Sequence, residues 1–243
     1  MSDASGKVAL VFGGSRGIGA ATVSRLAKDG HAVAFTYVSR EDKANELVSA
    51  ITAEGGDALA IKADSADASQ LRAAVVKAVE RYGRIDVVVV NAGIFRMATI
   101  DAVALEELDL MLNVNVRGVY LAIQATVPHL KDGGRVITIG SNVAIRTGSP
   151  GSSVYQLTKA AVAAMVKGIA LDLAPRGITV NNVQPGPTDT DMNAGAIEML
   201  SKMSPLKRVA HRDEIAGLIA YIARDEAGYM TGASLTLDGG LTL

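Results

Sequence analysis

The 243-residue chain has no cysteine, no tryptophan, six prolines and only 4% aromatic residues. Without cysteine there can be no disulfides, no thiol nucleophile and no thiolate metal site. The three histidines, His31, His129 and His211, stand far apart without ligand spacing and read as structural, so no metal is expected. Charge is balanced, with 24 Lys and Arg against 25 Asp and Glu for a net charge of −1, and no basic run occurs. That balance argues against nucleic acid and against an anionic membrane as partners. The opening residues 1–7 are polar and lack the apolar centre of a secretory signal. No apolar stretch approaches the ~20 residues that span a bilayer. Repeats, linkers and low-complexity segments are also missing. These absences predict one cytoplasmic domain over residues 1–243.

Aliphatic residues are what the chain has in quantity. Hydrophobic residues make up 49%, so the core must be built from Ala, Val, Ile and Leu, which suits a parallel sheet buried on both faces. Short apolar runs occur at 8–12, 32–37, 58–63, 86–90, 135–140, 179–183 and 234–237. Between them lie helical patterns ending near 29 and spanning 43–53, 70–82, 105–130, 155–173 and 212–223. This alternation predicts an α/β fold: a Rossmann-type doubly wound parallel sheet of about seven strands with helices on both faces.

Two local patterns carry chemistry. Gly13-Gly14-Ser15-Arg16-Gly17-Ile18-Gly19 follows a strand and opens a helix. Glycines let backbone approach a pyrophosphate, and the helix start offers free N–H groups and a positive dipole end. Tyr155 and Lys159 stand four apart in an Ala-rich helical run, so one face presents a phenol beside an ammonium. A free phenol titrates near 10, and a neighbouring cation favours its phenolate, so Lys159 is expected to lower the Tyr155 pKa. Ser141 ends an apolar run and is expected at the carboxyl edge of the sheet, where open α/β folds bind ligands. A lone Tyr-x-x-x-Lys is ordinarily a surface pair; the strand-end serine and the glycine turn give this one its significance.

From end to end, these features resemble the short-chain dehydrogenase/reductase family. The resemblance implies Ser141, Tyr155 and Lys159 as catalytic residues, with Asn115 of Asn-Val-Arg-Gly-Val-Tyr as a fourth that bends its helix and holds a proton-relay water. It places Gly13, Ser15, Arg16, Gly17, Ile18 and Gly19 around the cofactor phosphates. Asp64 and Ser65 then fall at the adenine, and Asn91, Ala92 and Gly93 pack against the cofactor. Pro185, Gly186, Thr188 and Thr190 cover the nicotinamide side, while Tyr155 and Lys159 also touch the cofactor. After the second strand, where an acid usually selects NAD(H), this chain has Tyr37-Val38-Ser39-Arg40, so NADP(H) is expected over NAD(H). Arg16 is the preferred partner for the 2′-phosphate, with Ser39 and Arg40 nearby. Residues 191–206, containing Met192, Met199, Leu200 and Met203, are expected to form a substrate lid. In the family, the 105–130 and 155–173 helices pair across a two-fold axis, implying a homotetramer.

The chain departs from the family pattern at Phe12, where threonine is usual, and at Val90, where asparagine is. An apolar contact is expected to replace a polar tie there. The strings Gly13 to Ala21, Phe35 to Tyr37, Asp64 to Asp67 and Val183 to Asp191 resemble a biofilm-dispersal branch that binds cyclic di-GMP. That leaves a nucleotide-binding regulator as the second reading. The 3-oxoacyl-[acyl-carrier-protein] reductase group is the third. Asp132, in Lys131-Asp132-Gly133-Gly134 before the Ser141 strand, is expected to disfavour an acidic carrier. The favoured expectation is reversible hydride transfer between NADP(H) and a small ketone or secondary alcohol, with no nucleic-acid or membrane partner.

Overall fold

Val8–Phe12 is buried at every position, unlike a strand with one wet face. Such a strand must be covered on both sides, as it is in parallel sheets whose crossover helices land on either face. A computed structural model of the chain describes residues 6–243; residues 1–5 of the polar opening stretch lie outside the described residues. The elements are β1 (Val8–Phe12), α1 (Gly17–Lys28), β2 (Ala32–Tyr37), α2 (Glu41–Ala53), β3 (Ala58–Lys62), α3 (Ala68–Tyr82) and β4 (Ile85–Val90). They continue as α4 (Leu105–Leu112), α5 (Gly118–Thr126), β5 (Leu130–Ile139), α6 (Ser153–Leu173), β6 (Thr179–Pro185), α7 (Ile197–Met203), α8 (Arg212–Ala223) and β7 (Ser234–Leu237). The strands form one parallel sheet in the order β3-β2-β1-β4-β5-β6-β7, the Rossmann-type arrangement expected.

Winding reverses between β1 and β4. Their carboxyl ends are a switch point, where connections leave toward opposite faces and a crevice opens. One core layer joins Leu10, Phe12 and Val88 to Leu71 of α3, Ile123 of α5 and Val166 of α6. The other joins Val11 and Phe35 to Leu26 of α1, Ile51 of α2 and Ile219 of α8. Each such aliphatic side chain contributes roughly 1.5–3 kcal/mol on burial, which holds the strand ends at fixed heights. Phe12 and Val90 are register partners and both are buried. The apolar contact expected in place of the family's polar tie is present.

The helix expected over 105–130 is divided. Asn113–Arg117 forms a π-turn between α4 and α5, and a 3-10 turn at Val127–His129, containing Pro128, ends the segment. Pro128 has no N–H to continue the helical ladder, and β5 starts at Leu130 rather than 135, pairing there with Ile85 before the register shifts to put Arg135 opposite Val87. Among the described residues, no helix is long and apolar enough to cross a membrane, and no group of three or more His, Asp or Glu is placed to hold a metal ion.

Candidate active site

The glycine turn is built by its neighbours. Thr36 at the end of β2 accepts the Gly13 N–H on Oγ1 and the Gly14 N–H on its carbonyl, both at 2.9 Å. Just past β4, Asn91 Nδ2 donates to the Gly13 carbonyl at 2.7 Å. A Cβ on Gly19 would lie 2.0 Å from that carbonyl oxygen, and Gly13 itself has φ +78° against Ala92, so both positions require glycine. No side chain caps α1, whose N-cap is Arg16, and the N–H groups of its first turn have no helical acceptor. A backbone cradle at the positive end of a helix fits a pyrophosphate. Ser15 and Gly17 line its rim, while Ile18 packs down against the core. Thr190 closes the cradle from the β6 side, with its Cγ2 3.4 Å from where a Gly17 Cβ would stand.

The adenine side is less unanimous. Tyr37 is buried; burial, and after it the Glu41 carboxylate, pushes its phenol up from the usual value. Ser39 and Arg40 are exposed. Arg40 donates to both oxygens of Asp42, at 2.9 and 2.7 Å, and that hydrogen bonding holds the Asp42 carboxyl down at about 2. Arg16 is exposed, and its Nη1 lies 4.0 Å from Asp191 at the start of the 191–206 segment. Asp64 Oδ1 accepts the Ala66 N–H at 2.9 Å, a turn contact, and Ser65 is buried with its carbonyl against Gly118. Beyond Pro185 and Gly186, the buried Thr188 donates to the Gly186 carbonyl at 3.0 Å and accepts Asn193 Nδ2 on its own carbonyl at 2.9 Å.

Four predicted catalytic residues converge at the carboxyl ends of β4 and β5. Ser141 is buried just past β5, and its hydroxyl accepts the Val143 N–H at 3.3 Å. Tyr155 stands on the first turn of α6, edge-to-face with Phe95 at 4.8 Å between ring centres. One turn on, the buried Lys159 donates to the Ile139 carbonyl at 2.9 Å. Asn115, on the π-turn, is fully buried and occupied at both ends. Its Oδ1 accepts the Ile94 N–H at 2.8 Å, and its Nδ2 donates to the Ile94 carbonyl at 2.8 Å and to Thr158 Oγ1 at 3.2 Å. Thr158 in turn donates to the Tyr155 carbonyl at 2.7 Å. Gly93 sits in the angle, where a Cβ would be 3.4 Å from Asn115 Oδ1 and 3.5 Å from Lys159 Nζ.

One expectation is altered by this geometry. Lys159 does not lower the Tyr155 pKa in the protein alone. Burial pushes the phenol up to about 12, opposed only by a hydrogen bond with Ser141, and burial brings Lys159 down to about 8. Asn115 has no amide N–H left for a relay water, because Ile94 and Thr158 take both. Asp132 lies at the amino end of β5, the opposite edge of the sheet from Ser141, where it accepts Arg176 Nε at 2.7 Å. Thr36, Asn142, Thr158, Asn193 and Asp238 support the site without having been singled out. For Thr158 a signal existed, a hydroxyl one residue before Lys159 on the same helix.

A parallel sheet carrying an uncapped, glycine-lined helix start at its switch point defines a dinucleotide-binding scaffold. A family model described as enoyl-(acyl carrier protein) reductase matches residues 13–242. A short-chain dehydrogenase/reductase from Serratia marcescens is 52% identical, with a TM-score of 0.95 and 98% of each chain covered. A short-chain dehydrogenase from Burkholderia cenocepacia in complex with NADP is 44% identical, with a TM-score of 0.95 and 100% of both chains covered. The cyclic-di-GMP-binding biofilm dispersal mediator protein of Escherichia coli is 39% identical over 237 residues, 96% of each chain. The chain belongs to the short-chain dehydrogenase/reductase family of oxidoreductases.

Proposed function

We propose that the protein is an NADP(H)-dependent carbonyl reductase acting reversibly on a small ketone or secondary alcohol. The observation that carries this reading is the convergence of Ser141, Tyr155 and Lys159 beside the cradle at the start of α1. The first turn of α1, Thr190 and Arg16 would hold the phosphates, and Lys159 the nicotinamide ribose. When bound, NADPH supplies the hydride. Ser141 Oγ holds the carbonyl oxygen, and Tyr155 Oη gives it a proton, a step worth roughly 10²–10⁴-fold. A phenol kept protonated by burial suits that direction. Asn115 positions the segment around Ile94 and, through Thr158, the turn bearing Tyr155. A relay water at this point would meet the main chain of the π-turn.

Arg16 supports a preference for NADPH, being held only loosely at 4.0 Å by Asp191. Residues 191–206 act as the lid of a single domain over 1–243; the exposed Met192, Met199 and Met203 suit an apolar substrate. The same helices that frame the site carry the tetramer contacts, and a cytoplasmic setting with its NADPH supply fits the reaction. Likeness to the Escherichia coli dispersal mediator favours one alternative, a cyclic-di-GMP receptor on the same scaffold. A screen of ketones and a 3-oxoacyl thioester, following the reduced-nicotinamide absorbance band, tests the proposal. Turnover of small ketones with NADPH is expected; thioester turnover alone, or none, contradicts it.

A further inference from the structure

The last six residues of the chain meet the site at one carboxylate. Asp238 follows β7 directly. Its Oδ1 accepts the Gly240 N–H at 3.0 Å, and its Oδ2 accepts the Thr242 N–H at 2.9 Å and Asn142 Nδ2 at 3.4 Å. Asn142 is buried, and its Oδ1 accepts the Ser141 hydroxyl at 3.4 Å. Two further contacts hold the tail in place. A Cβ on Gly186 would lie 2.6 Å from Asp238 Cα, so the segment after β6 is pressed against it. Arg146 Nη1 donates to the carbonyls of Leu241 and Leu243, at 3.3 and 2.9 Å, binding the tail to the loop that leaves Ser141.

The chemistry of these groups fixes a direction. An ionised carboxylate only accepts, so Asp238 selects the Asn142 orientation whose NH₂ faces it. The Asn142 oxygen is thereby turned toward Ser141. Ser141 Oγ accepts the Val143 N–H and also hydrogen-bonds with Tyr155, so the Asn142 oxygen competes with the phenol for the direction of the Ser141 proton. The bond to Asn142 is long and weak, easily surrendered to an incoming carbonyl oxygen. We infer that Asn142 and Asp238 are positioning residues, through which the C-terminal tail aims the Ser141 hydroxyl at the substrate carbonyl. This rests on the reading of Ser141 as the carbonyl-holding group.

The test is a double-mutant cycle of Asn142→Ala and Ser141→Ala, read by single-turnover oxidation of bound NADPH with a ketone found in the screen, alongside NADPH affinity by calorimetry. Asn142→Ala should slow the wild-type enzyme about 10-fold, the worth of one aligned hydrogen bond, and leave NADPH affinity unchanged. In the Ser141→Ala background it should change nothing, because the group it aims is gone. Asp238→Asn, which lets the Asn142 amide turn over, should give a smaller loss with the same dependence on Ser141. Equal slowing with and without the Ser141 hydroxyl overturns the inference, as does an undiminished Asn142→Ala rate. Loss of NADPH affinity in both single variants would assign the pair to packing alone and overturn it too. Full turnover by Ser141→Ala itself would instead refute the reading of Ser141.

Discussion

Lys159 Nζ stands 5.7 Å from the centre of the Tyr155 ring and donates to the Ile139 carbonyl, not to the phenol. Proximity on one helical face therefore does not make this pair an ammonium–phenolate couple. Desolvation dominates both groups: it raises the acid to about 12 and lowers the amine to about 8, so each is shifted toward its neutral form. The protein by itself stores a protonated phenol ready to be given up.

A stability prediction follows from Lys159. Its folded pKa of about 8 lies below the ordinary 10.5, so between these values the unfolded chain binds a proton the folded chain does not. Stability then rises with pH across that window, and the cost of burying the charge is fully present below it. Lys159→Met removes that cost together with the bond to Ile139, so its stability relative to wild type should be greatest at pH 7 and fall toward pH 10. Urea midpoints of both proteins across pH 7–10 check this. A pH-independent gap would refute it.

Arg16 and Arg40 should not be equivalent. Arg40 is engaged by both oxygens of Asp42, whereas Arg16 has, among the described residues, only Asp191 at 4.0 Å. Arg16→Ala should lower kcat/KM for NADPH by roughly 10–100-fold, the worth of a charged hydrogen bond, and leave NADH use nearly unchanged. Arg40→Ala should do much less. Equal losses for the two cofactors after Arg16→Ala would contradict the assignment.

Asn115 should behave as a structural clamp as well as a site residue. Asn115→Ala would leave the Ile94 N–H and carbonyl without their partner in a buried setting, costing about 2–4 kcal/mol. Denaturant unfolding measures this directly. A loss below about 1 kcal/mol would show that the amide is dispensable to the fold.

What could be read from the sequence was local. Alternating apolar runs gave the strand order its parallel character, and the spacing of Tyr155 and Lys159 gave the helical face. The turn from Gly13 to Gly19 announced its own backbone demands. What escaped was long-range. Asn142 and Asp238 are 96 positions apart, and neither is unusual within its own segment. Thr36 holds the glycine turn from another strand, and no local pattern marks it. The bend at Asn115 came from the family resemblance and not from the local pattern, because apolar periodicity continues through Asn113–Arg117; a single inserted residue in the ladder shifts the face without changing composition. Asp132 lies ahead of Ser141 along β5, as its place before the strand indicates, and the length of that strand separates the two in space.

The oligomer is open to direct test. Leu110, Tyr120, Leu157 and Leu171 are exposed on α4, α5 and α6, more apolar surface than one chain needs to show. Light scattering at micromolar concentration should give a tetramer mass. A monomer would contradict the proposed pairing of these helices.

The central claim is that Tyr155 acts only on the reacting carbonyl. Tyr155→Phe, compared with wild type by calorimetry against NADPH and against cyclic di-GMP and by ketone turnover, tests it most directly. The account predicts that NADPH binds both proteins with nearly equal affinity while turnover falls by at least ~10²-fold in the variant. Tight cyclic-di-GMP binding with no NADPH heat, or ketone reduction undiminished by Tyr155→Phe, would contradict it.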